Sequence, residues 1–212
     1  MKLLSSFEVL FKTMDEKQII KGCLKGDRKS QKTMYEHYYA TLFGIALRYS
    51  KNKEEAKDIL HEAFIKIFSN LSQYSGKGAF EGWLKKIVIN TAITQLQKFQ
   101  KENFHFDIDE INEAQIQNNL TDFDEDEFTA EDAMELMQKL PDKYRIVMNL
   151  YAIEQYSHKE IGEMIGIGEG ASKSRLLRAR KLLVDLLQNY HDLKTKKNSS
   201  EQISLEKTLI FS

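Results

Sequence analysis

Apolar residues recur along this chain at intervals of three and four, the period of helices that bury one side. Ala56, Ile59, Leu60, Ala63, Phe64, Ile67, Phe68 and Leu71 form one such stripe, so this helix needs a packing partner. Its opposite side carries Asp58, His61, Glu62 and Ile65, an acidic patch with an exposed branched aliphatic. A loop over 72–78 follows, carrying Tyr74, Gly76, Lys77 and Gly78. Phe80, Trp83, Leu84, Ile87, Val88 and Thr91 then define a second buried stripe, leaving Lys85, Lys86, Asn90 and Gln97 outside.

The pattern resumes near the C-terminus with start and stop signals. Thr129 and Asp132 cap a helix reaching Leu140, Pro141 breaks it, and a second helix is predicted from Asp142 to about Ala152. Ser157 and Glu160 have the spacing of a capping box, and Ile161, Met164 and Ile165 supply the apolar side of the helix they start. Gly166, tolerant of positive φ, ends that helix; Gly168 opens the next, with Ile167 expected to be buried between them. From Glu169 the helical period puts Ser172, Leu176, Ala179, Leu183 and Leu186 on one face. Gly170, Ser174, Leu177, Arg178 and Lys181 lie opposite, flanked by Lys173, Arg175 and Arg180.

One proline and ten glycines in 212 residues leave few of the turns an all-β chain requires, so the fold class is all-α. The lone Cys23 excludes an intramolecular disulfide and a cysteine-based zinc site. No apolar run reaches the 18 residues of a membrane span, and Glu8 interrupts any signal-peptide core, so a cytoplasmic location is expected.

The net charge of −1 hides a partition. Met1 to Glu102 carries 18 basic and 11 acidic residues, a net of +7, whereas Asn103 to Phe128 has 9 acidic and no basic residues. Two small helical domains on a flexible acidic linker fit this distribution. The boundaries read as an N-terminal arm or mis-assigned start over 1–14, domains over 15–102 and 129–191, a linker over 103–128 and a tail over 192–212.

Lys173 to Lys181 holds five basic residues and no acidic one, a density suited to phosphates. A solvated amphipathic helix would look similar alone; the capped helix and glycine turn in front of it favour a helix-turn-helix that reads DNA. The glycine-flanked loop beside Lys85 and Lys86 fits a cradle for an unstacked single strand. The patch around Asp58 has the mixed character of a protein-docking surface. The pairs His61-Glu62 and His158 with Glu160 make no His-Glu-x-x-His site, so neither a metal, a cofactor nor enzymatic activity is expected.

Taken in order, these segments resemble bacterial RNA polymerase sigma factors of the extracytoplasmic-function (ECF) group. The resemblance rests on Asp58-Ile-Leu-His-Glu-Ala-Phe64, Phe80-Glu-Gly-Trp-Leu-Lys-Lys-Ile-Val-Ile-Asn-Thr-Ala92, Leu140-Pro-Asp-Lys-Tyr-Arg145, Tyr156-Ser-His-Lys-Glu-Ile161 and Gly170-Ala-Ser-Lys-Ser-Arg-Leu-Leu-Arg-Ala-Arg-Lys181. It implies a sigma region 2 bundle and a sigma region 4 helix-turn-helix domain, which bind core RNA polymerase and direct promoter recognition, melting and initiation. An anti-sigma factor is a further partner such proteins can have.

By this resemblance Asp58, His61, Glu62 and Ile65 dock on core polymerase. Asn90, with Tyr74, Lys77, Lys85 and Lys86, takes the melted minus-10 strand, flipping a base at a cost of a few kcal/mol. Lys173, Ser174, Leu177 and Arg178 face minus-35 bases, and Arg175, Arg180 and Lys181 face phosphates. The chain departs from the family pattern at Thr94 and Gln97, where an aspartate and an arginine are usual, at His61, usually glutamine, and at Gly168, usually a serine cap. The competing reading is a conventional helix-turn-helix regulator whose N-terminal block dimerises or senses a ligand. That block shows no βαβ alternation of the kind a sensor domain brings.

Overall fold

The computed structural model describes residues 16–102 and 129–210, with side chains described over 16–98 and 129–190. Every regular element among them is helical, and the chain divides into two compact units, Met1–Phe106 and Asp107–Ser212.

In the first unit α1 spans Glu16–Leu24, α2 Arg28–Tyr49, α3 Lys53–Asn70 and α4 Phe80–Glu102, with a 3-10 turn at Leu71–Gln73. Asp27 starts α2 by accepting from the amides of Lys29 and Ser30, and Asn52 starts α3 by accepting from that of Glu55. Helices α2, α3 and α4 pack against one another, and α1 lies on α2. Met34, Leu42, Ala46, Ala56, Ala63, Ile67, Leu84, Val88 and Ala92 are fully enclosed between them. Because α4 faces both α2 and α3, its buried surface is wider than one stripe and takes in Ile89, Ile93 and Leu96.

Three members of the two predicted stripes lie nearer the surface than their spacing indicates. Phe68, Trp83 and Ile87 are only half-buried. Trp83 stacks on Phe80 at 5.7 Å, capping the core rather than filling it. Cys23 is buried on α1; that burial, helped by the Asp27 carboxylate, raises its thiol pKa to about 11, the behaviour of a small core residue.

In the second unit α5 spans Ala130–Lys139, α6 Asp142–Met148, α7 His158–Ile165 and α8 Glu169–Ile210. Helices α5, α6 and α7 all pack against α8. Both predicted capping boxes are formed, Thr129 with Asp132 and Ser157 with Glu160. The helix expected to run to about Ala152 keeps α geometry only to Met148, then widens into a π-helical turn over Asn149–Ile153. There the buried Asn149 gives its side-chain amide to the Arg145 carbonyl at 3.0 Å, and the next backbone bond, Glu154 N–H to Asn149 O, spans five residues. Gln155, at φ 61°, then turns the chain toward α7. Helix α8 continues past the boundary at 191 to Ile210.

The α7–α8 turn depends on two glycines, and only one of them stood out in the sequence. Gly166 has a φ of 72° and ends α7 in the left-handed region, as expected. Gly162 is held by space: an added Cβ would sit 2.6 Å from the Ile167 carbonyl oxygen, and the Gly162 carbonyl accepts the Ile167 amide at 3.0 Å. Ile167 is half-buried rather than buried, because the turn runs along the surface of the helix pair. Gly162→Ala is therefore expected to destabilise this unit by about 1 to 3 kcal/mol, since backbone must move to admit the methyl group. Urea titration of the full chain measures it, and an unchanged midpoint would contradict the close fit.

Candidate nucleic-acid interface and docking face

On α8, Ser172, Leu176 and Ala179 are buried against the rest of the unit. The opposite side and its flanks present Lys173, Leu177, Arg180 and Lys181 to solvent, with Ser174, Arg175 and Arg178 half-buried beside them. All seven residues expected to meet DNA therefore lie along one helix, their bases and phosphate-type cations interleaved. Glu169 at its N-terminus is held 2.7 Å from Lys173, and that hydrogen bond keeps the Glu169 carboxyl below its usual range. Leu177 is one of few large apolar residues exposed among the described residues of this unit, at 36%.

Behind this face Tyr151, His158 and Ser172 make contacts that the sequence reading did not anticipate. His158, the first residue of α7, shares a 2.9 Å hydrogen bond from Nδ1 to the hydroxyl of Ser172. Its ring stacks on Tyr151 of the π-helical turn, with centroids 4.5 Å apart and planes at 16°. The Arg180 guanidinium lies 5.9 Å from the centroid of the same tyrosine. Burial, reinforced by Lys173, holds the His158 pKa below its ordinary value and favours neutral imidazole. The one sequence signal was Ser172, a hydroxyl on an otherwise apolar face.

The outer side of α3 places Asp58, His61 and Ile65 in solvent, and Ile65, at 67%, is the most exposed large apolar residue described. Glu62 differs from its neighbours. Its carboxylate accepts from Lys66 at 2.6 Å and from the Gln95 side chain of α4 at 2.6 Å, and these bonds lower its pKa. It is half-buried and oriented, whereas Asp58 and His61 stand clear.

The loop before α4 is organised by Tyr74. Its hydroxyl donates to the Gly78 carbonyl at 2.8 Å, tying the loop across its base, while Gly76 and Gly78 take φ values of 73° and 80°. The Tyr74 ring lies 4.9 Å from that of Phe80 and 5.6 Å from that of Trp83, so it serves the aromatic cluster as well as the loop. Lys77, Lys86 and Asn90 are exposed, and Lys85 pairs with Glu81 at 2.6 Å. Thr94, at one departure from the family pattern, turns its hydroxyl back to the Asn90 carbonyl at 2.8 Å.

A capped helix, a glycine turn and a long helix with a basic outer face define the second unit as a helix-turn-helix DNA-binding protein. Residues 34–102 match the family described as Sigma-70 region 2, and residues 130–183 match Sigma-70, region 4. The chain is 31% identical to the ECF RNA polymerase sigma factor SigW of Bacillus subtilis over 79% of its own length and 94% of that protein's. It is 26% identical to the RNA polymerase sigma-H factor of Pseudomonas aeruginosa, over 82% and 94% of the two chains. Among solved structures it is similar to the sigma factor RpoE of Bartonella quintana, crystallised with the anti-sigma factor NepR. The likeness covers 74% of this chain and 96% of that one at 22% identity, with a TM-score of 0.46.

The chain belongs to the ECF group of RNA polymerase sigma factors. It is a factor that directs RNA polymerase to promoters, and such factors are in general non-enzymatic. The match of its N-terminal unit to region 2 disfavours a sensor or dimerisation block. Among the described residues no helix is long and apolar enough to cross a membrane.

Proposed function

We propose that the two units divide promoter engagement between them. The first docks on core polymerase through Asp58, His61, Glu62 and Ile65 and receives the melted minus-10 strand at Asn90, Lys77, Lys85 and Lys86, with Tyr74 shaping the loop. The second lays α8 in the major groove at minus-35. Lys173, Ser174, Leu177 and Arg178 meet base edges there, and Arg175, Arg180 and Lys181 meet phosphates. The observation that carries this reading is the sorting of α8: an exposed leucine sits among cations on its outer face, opposite a sealed apolar one. A surface that only neutralised phosphates would have no use for Leu177, whereas a thymine methyl gives it a contact.

In-vitro transcription with the full chain and core polymerase on a promoter library tests the whole reading. Two enriched sequence blocks at fixed spacing are expected, and products no more abundant than with core polymerase alone would overturn it. Within that assay Arg178→Ala is expected to cost about 1 to 3 kcal/mol on the enriched upstream block and far less when that block is scrambled. Equal losses on both templates would remove the base-reading role.

A further inference from the structure

Arg180 lies against a neighbouring element. It is exposed, yet its guanidinium lies 5.9 Å from the ring centroid of Tyr151, a residue of the π-helical turn that precedes α7. That distance is within the range of cation–π attraction, which narrows the orientations of an otherwise mobile side chain. The tyrosine is in turn fixed, with the His158 ring stacked on it at 4.5 Å and His158 bonded to the buried Ser172 of α8. From Ser172 the chain of contacts returns to α8 two turns further along, at Arg180.

The geometry points to Tyr151 as a positioning residue for DNA binding: its ring, held by His158, pre-orients Arg180 toward a phosphate of the duplex. The inference rests on the reading of Arg180 as a phosphate contact and adds the residue that aims it. It also gives the widened turn a use, since Tyr151 lies within Asn149–Ile153, the stretch that departs from α geometry. Tyr151 is 36% exposed. A neutral His158 suits the arrangement, because an imidazolium stacked on the same ring would repel Arg180. The charged groups acting on His158 are Lys173, Glu169 and Arg180.

The test is the salt dependence of duplex binding by the full chain, with a generic B-form duplex as the probe. Loss of one phosphate contact flattens the slope of log affinity against log salt by about 0.9. Arg180→Ala is expected to flatten it by that increment. Tyr151→Leu, which keeps apolar bulk but removes the π face, is expected to do the same, and Tyr151→Phe to retain the wild-type slope. Combining Tyr151→Leu with Arg180→Ala is expected to add nothing to Arg180→Ala alone. A loss of packing by itself would lower thermal stability without moving the slope, and circular dichroism on each variant confirms that it is folded.

If Tyr151→Leu keeps the full slope while Arg180→Ala flattens it, the inference is overturned and the phosphate role of Arg180 survives. If Arg180→Ala leaves the slope unchanged, both fall. Additive flattening in the double variant would likewise overturn the inference, since the two residues would then act separately.

Discussion

Arg145→Ala is expected to cost the C-terminal unit about 3 to 5 kcal/mol, a large part of the roughly 5 to 15 kcal/mol that holds a typical domain together. Arg145 is fully buried, an unusual place for a guanidinium. One nitrogen donates to the carbonyls of Gln138 at 3.1 Å and Leu140 at 2.9 Å, and another meets the Asp142 carboxylate at 2.7 Å. Those acceptors lie at the end of α5 and the start of α6, on either side of Pro141, so the fork joins two helices where the backbone ladder is interrupted. Truncation removes these bonds and the guanidinium charge beside a half-enclosed carboxylate, and leaves a cavity the size of the lost chain. Arg145→Lys is expected to recover only part of the loss, because a single ammonium cannot reproduce the planar fork. Urea unfolding gives the magnitude, and amide exchange gives the place, with protection falling in α5 and α6 and holding in α2 to α4. A change within about 0.5 kcal/mol would show that the staple contributes nothing to stability.

Reversing both Asp58 and Glu62 to lysine is expected to abolish co-purification with core polymerase. Truncating one partner of an enclosed interfacial charge pair costs about 2 to 5 kcal/mol, and a reversal adds repulsion, so a weakening of roughly one to four orders of magnitude follows. The two positions contribute differently. Asp58 stands in solvent and its reversal reports on docking alone, whereas Glu62 is tied to Lys66 and Gln95, so its reversal also disturbs the α3–α4 contact. The single variants therefore accompany the double one, with helicity monitored throughout. A folded Asp58→Lys, Glu62→Lys double variant that still co-purifies undiminished would place the docking surface elsewhere. Ile65→Ala probes the apolar part of the same face without touching a charge.

The helices α3 to α8 were legible in the sequence because their signals are local, whereas α1 and α2 were not predicted from it. A capping box needs four consecutive residues, a left-handed stop needs one glycine, and an apolar stripe needs only the period of 3.6. Thr129 with Asp132, Ser157 with Glu160, and Gly166 all behave in the structure as those signals predict. The widening after Met148 was not legible, since it turns on whether the Asn149 side chain faces solvent or the Arg145 carbonyl, and that depends on burial. The requirement for glycine at 162 was equally hidden, because the obstructing oxygen is that of Ile167 in the turn itself, which comes close only when the chain folds back to pack α8 on α7.

The candidate surfaces divide in the same way. Periodicity alone put Lys173, Leu177, Arg178 and Lys181 on the outer side of α8 and Asp58, His61 and Ile65 on that of α3. It also grouped Glu62 with the free members of its patch, because nothing local reveals that Gln95, 33 residues further on, reaches its carboxylate. From sequence alone follow an all-helical chain, two basic units separated by an acidic stretch, and the faces that α3, α4 and α8 show to solvent. These are properties of neighbours along the chain. Tertiary structure decided which polar groups on these faces are held by another helix: Glu62 by Gln95, Arg180 beside Tyr151, and His158 by Ser172. Partners that come from other helices depend on how those helices pack, and packing is set by the whole core rather than by any segment of the sequence.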